Sequence, residues 1–69
     1  MPETTLQHLV EILKKYPEGK AELYRVEMDL CEAGIVGLGV EPIDIIFAAA
    51  QRGLCEFDPK NQVVVLKSP

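Results

Sequence analysis

The sequence predicts an α+β fold: a three-helix bundle followed by a C-terminal two-stranded β-hairpin. Three observations carry that expectation. Leu6, Leu9, Val10 and Leu13 recur at i, i+3, i+4 and i+7, the spacing of one buried helical face. Glu41-Pro42 opens another apolar helical run and Gly53 closes it, because proline suits the first helical position and glycine the residue just past the end. Finally, "LCEF" and "QVVVLK" are rich in strand formers and bracket "DPKN", which has the composition of a tight turn.

In the first helix, Thr4 is placed to cap the first turn, with Gln7 completing a capping box three residues later. Ile12 and Tyr16 widen the apolar stripe, and Lys14 and Lys15 suit the negative end of the helix dipole. Pro17 ends the helix, since the residue before a proline resists helical backbone angles. Glu18-Gly19 reads as a short turn. Residues 20 to 33 are rich in helix formers and predict the second helix, with Leu23, Val26, Leu30 and Ala33 on its core face and Tyr24, Met28 and Cys31 beside them. Arg25 and Asp29 are spaced to pair on its surface. "RVEMDL" also alternates like a strand, but Glu, Met and Asp are poor strand residues and Gly34 supplies a helix stop.

The short stretch "GIVGLGV" is apolar enough to tuck beneath two helices. In the third helix, Ile43, Ile46, Phe47 and Ala50 form the predicted core face. In the hairpin, Asp58 is expected to bond the turn backbone, and Pro59 sets the required φ. Leu54 and Phe57 break strict alternation, which predicts a bulge or twist near Glu56.

At 69 residues the chain fits one domain, residues 1–69, with one core. No apolar run approaches the roughly 18 residues of a membrane span. The first five residues lack the basic-then-apolar pattern of a secretory leader, so a cytoplasmic protein with no membrane partner is expected. Cys31 and Cys55 form no CxxC motif, and His8 is the only histidine, so neither a structural zinc nor any other cofactor is expected. The two cysteines read as small buried apolar groups; whether the fold pairs them is open.

Residues 42 to 67 run as an apolar helix, a glycine, a short strand, an Asp-Pro turn and the Val-rich return strand Gln62-Val63-Val64-Val65-Leu66. That order resembles the third helix and wing of the winged helix-turn-helix superfamily. The resemblance implies a third helix that enters the major groove and a wing that touches the DNA backbone or minor groove. Gln51, Arg52, Lys60, Asn61 and Lys67 would then be the nucleic-acid contacts of a transcriptional regulator.

The charge balance argues for another use of that scaffold. Eleven acidic residues against seven basic leave a net charge of −4, whereas DNA affinity depends on cations that displace counterions from phosphates. The first two turns of the third helix offer only Glu41 and Asp44 as charged groups, where base readout needs donors. Ile43, Ile45, Phe47 and Val64 or Val65 are too many apolar groups to point inward together. The favoured reading is therefore a non-enzymatic protein-interaction module whose surface includes Ile45, Phe47 and Val64. Its partner would be another protein or a second copy in a homodimer, with DNA binding as the alternative.

Lys14, Lys15, Lys20 and Arg25 cluster near the junction of the first two helices, interrupted by Glu18 and Glu22. They read as a solvated mixed-charge surface, or more sharply as a small phosphate- or acid-binding patch. No nucleophile–base pair beyond a cysteine with His8 is available, and so small a domain has little room for a pocket of about 300 Å³, so no enzyme is expected.

Overall fold

In the computed structural model, which describes residues 2–36 and 39–67, helix α1 spans Glu3–Lys14. It begins ahead of the predicted Thr4 cap. Pro2 occupies the cap position, and its carbonyl accepts hydrogen bonds from the Thr5 N–H at 3.1 Å and the Leu6 N–H at 3.4 Å. Thr4 thus lies within the first turn, and Glu3 brings an acid to the positive end of the helix dipole. Pro17 stops the helix as expected: Tyr16 is extended, and a single 3-10 turn, Pro17–Gly19, follows. Glu18 takes the left-handed conformation there with φ 59°, and Gly19 follows it at φ 65°.

The next three residues depart from the prediction. Lys20–Glu22 form strand β1, and helix α2 spans only Leu23–Glu32. Helix propensity is worth tenths of a kcal/mol per residue, so pairing and burial override it readily. Here the pairing is with β3, Val63–Leu66, through Lys20 opposite Val65, Ala21 opposite Val64 and Glu22 opposite Val63. Ala21 is buried on the inner face of the sheet, and the Leu23 N–H donates to the Gln62 carbonyl at 2.8 Å, anchoring the start of α2. The alternating "RVEMDL" segment is helical throughout.

Helix α3 spans Pro42–Gln51, and strand β2 spans Cys55–Asp58. α2 and α3 end in the same glycine motif. The Ile35 N–H reaches the Leu30 carbonyl at 3.2 Å past Gly34, and the Leu54 N–H reaches the Ala49 carbonyl at 3.0 Å past Gly53. The sheet is antiparallel in the order β1-β3-β2, so the predicted hairpin is two strands of a three-stranded sheet. β2 and β3 pair in unbroken register from Cys55 opposite Leu66 to Asp58 opposite Val63. The bulge expected near Glu56 is absent because Leu54 precedes the strand, leaving Cys55 and Phe57 to alternate inward with Val64.

Asp58 organises the turn as anticipated. Its carboxylate accepts from the backbone N–H groups of Lys60 at 3.0 Å and Asn61 at 3.3 Å, and from the Asn61 side-chain amide at 2.8 Å. The Asn61 side chain, then the backbone N–H groups, hold this carboxyl below its usual range.

One apolar cluster joins the layers: Leu6, Leu9, Ile12 and Leu13 from α1, Val26 and Leu30 from α2, Ile45, Ile46 and Ala49 from α3, and Ala21, Cys55 and Val64 from the sheet. Burying each large aliphatic side chain contributes about 1.5–3 kcal/mol. Ile35 and Val36 pack half-buried against this cluster, whereas Val40, at the end of the same apolar connection, is exposed; residues 37 and 38 lie outside the described residues. Of the core face predicted for α3, Ile46 alone is fully buried. Ile43 and Ala50 are half-buried and Phe47 is exposed.

Candidate interaction surface

α3 turns Ile45, Ile46 and Ala49 inward, so the opposite side carries Asp44, Phe47, Ala48 and Gln51 at i, i+3, i+4 and i+7. Phe47 is 48% exposed. Its ring meets that of half-buried Phe57 on β2 edge to face, with centroids 5.7 Å apart and planes at 66°. Such pairs contribute about 0.5–1.5 kcal/mol beyond burial and hold both rings in place. The sheet thus presents Phe47 as a positioned aromatic group rather than a loose one.

Ile45 and Val64, both assigned above to this surface, are instead completely buried. Ile45 adjoins Ile46 on the inward side of α3, and Val64 sits in the central strand between Ala21 and Phe57. Neither is available to a partner.

The positions named for nucleic acid are exposed, and two of their three cations already sit beside carboxylates of the same chain. Arg52 pairs with Glu3 at 2.6 Å, and Lys67 with Glu56 at 3.4 Å. The Asn61 amide is held by Asp58. Lys60 has no ion-pair partner among the described residues, and Gln51 is the one uncharged donor on the outer stripe of α3. At the start of that helix, Asp44 accepts a hydrogen bond from the Glu41 N–H at 3.2 Å, which fixes an acid where readout would call for a donor.

The junction of α1 and α2 is mixed in charge. Lys14 pairs with Glu11 at 3.4 Å. The surface pair expected between Arg25 and Asp29 does not form, because Asp29 instead accepts a hydrogen bond from the Tyr16 hydroxyl. That bond, with some burial, holds the Tyr16 proton more tightly than usual. Tyr16, Lys20, Ala21, Glu22, Arg25 and Val63 line an open groove of about 390 Å³, larger than so short a chain suggested. Its walls carry carboxylate as well as cation.

Two exposed apolar groups were missed as surface: Tyr24, 53% exposed, and Met28, 57% exposed. Helical phase could have found them, because they project from the side of α2 opposite buried Val26 and Leu30. The cysteines also separate: Cys31 is exposed, Cys55 is buried, and both are free thiols. Burial pushes the Cys55 thiol up, and its Sγ faces the Ile46 carbonyl at 3.9 Å. A chromogenic disulfide reagent is therefore expected to titrate one thiol quickly in the native protein and the second only after denaturation. Rapid labelling of both would contradict the burial of Cys55.

The fold and surface define a small α+β domain, three helices against an antiparallel sheet, with an aromatic pair spanning α3 and β2. No helix among the described residues is long and apolar enough to cross a membrane. No protein-family model, curated protein or solved structure matches the chain.

Proposed function

We propose that this chain is a non-enzymatic interaction module on a winged-helix scaffold, binding another protein through the face shared by α3 and the hairpin. The observation that carries this reading is Phe47, half-exposed and braced by Phe57. It occupies the helix face that would otherwise meet a groove, and acidic Asp44 lies one turn before it. A large, rigid aromatic group loses little entropy on binding, which is why such residues dominate protein interfaces. A phosphate backbone would meet carboxylates there before it met a free cation.

The test compares Phe47→Ala with Lys60→Ala. Phe47→Ala is expected to leave the chain folded by circular dichroism, with a melting temperature lower by about 5–15 °C from loss of the edge pair, and to abolish retention of a cross-linkable protein partner, while Lys60→Ala leaves retention unchanged. Duplex DNA titrated at low salt is expected to show no saturable binding. Binding that weakens by orders of magnitude between about 50 and 200 mM salt, and that Lys60→Ala reduces, would establish the nucleic-acid regulator in its place.

A further inference from the structure

We propose that α2 pairs with α2 of a second copy of this chain, antiparallel, across the stripe of Tyr24 and Met28. These are the two most exposed large apolar side chains among the described residues, and they stand one helical turn apart. Between them and their neighbours Arg25, Asp29 and Glu32 lies an open depression of about 270 Å³.

The charges flanking the stripe identify the occupant. Within α2, Arg25 lies in the first turn and Glu32 is the last helical residue. Each is misplaced for a lone helix, whose positive end favours acids and whose negative end favours bases. Neither has an ion-pair partner within its own chain among the described residues. A second α2 laid antiparallel, with the two-fold axis beside Met28, sets Arg25 of each copy against Glu32 of the other. Both pairs form at once, because a two-fold contact repeats every interaction. Each misplaced charge then lies next to the helix end that suits it. The patch thus meets its copy through two Arg25–Glu32 pairs, while Asp29, already hydrogen-bonded by the Tyr16 hydroxyl, lies beside the axis.

The contact is small. Ten helical residues extend only about 15 Å, well short of the roughly 800 Å² per partner that stable dimers bury. Dissociation constants of about 10 µM to 1 mM are expected on that basis. This pairing does not rest on the Phe47 reading, since it uses a different helix.

The experiment is a charge-swap series followed by sedimentation up to about 1 mM protein, where such contacts populate. Arg25→Glu alone and Glu32→Arg alone are each expected to weaken self-association at least about tenfold, since each replaces two attractions by two repulsions. Mixing the two single variants should restore association as a heterodimer, and the double swap should restore the homodimer. Circular dichroism checks that each exposed substitution leaves the fold intact. Phe47→Ala is expected to associate like the parent. A chain that stays monomeric throughout this range, or a mixture that associates no better than its components, overturns the proposal.

Discussion

Leu9→Ala is expected to lower the melting temperature by about 12–40 °C, or to prevent folding altogether. Leu9 is fully buried on α1 within the single apolar cluster, between Leu6 and Leu13 on the same stripe. Truncating such a leucine removes its transfer free energy and leaves a cavity, together about 3–5 kcal/mol. A chain of this length has a total stability of only about 3–10 kcal/mol, so one cavity removes a large fraction. Thermal unfolding followed by circular dichroism measures the effect directly. A shift under about 5 °C would mean that the cluster repacks, or that α1 is not docked as described. Val10→Ala, at a half-buried position, is the internal control and should lose far less.

Gly19→Ala is expected to destabilise by about 2–4 kcal/mol, through two separable causes. At φ 65° an alanine is strained, and its Cβ would lie 2.8 Å from the Leu66 Cβ. Leu66 cannot retreat easily, because its Cβ is fixed to the central strand. Gly34 isolates the first cause: its φ is 71°, and a methyl group added there would meet nothing within 4 Å. Gly34→Ala should therefore lose only about 1 kcal/mol. Chemical denaturation of the two variants side by side gives the difference, which is the steric contribution. Equal losses would show that the turn before β1 yields without disturbing the sheet.

The three helices and the final hairpin were legible because their signals are local. The stripe from Leu6 to Leu13, the stops at Pro17, Gly34 and Gly53, the Pro42 start and the Asp58 turn each act over a few residues. Strand β1 was not legible. Lys20, Ala21 and Glu22 carry no strand signature, and they become a strand because the far side of Val63–Val65 offers unpaired backbone groups. The rotation of α3 failed for a different reason. "PIDIIFAAAQ" is apolar on nearly every side, so periodicity cannot choose a core face. Packing against α1 and the sheet chooses Ile45, Ile46 and Ala49. That choice exposes Phe47, and with it the candidate surface. The misassignment of Ile45 and Val64 follows from the same ambiguity: a surplus of apolar residues signals that some remain outside, without signalling which.

The placement of β3 between β1 and β2 has a kinetic consequence. Lys20 must wait for Val65, and Leu23 for Gln62, before either finds its hydrogen-bonding partner. Closing a loop that encloses two helices is slow compared with forming the helices themselves. During synthesis, α1 and α2 emerge well before the strand that anchors the entrance to α2, so a partly made chain lacks the partner of Lys20–Glu22. The edge strand Lys20–Glu22 is therefore completed only when the Val-rich strand is made, because that strand supplies its only backbone partners in the sheet.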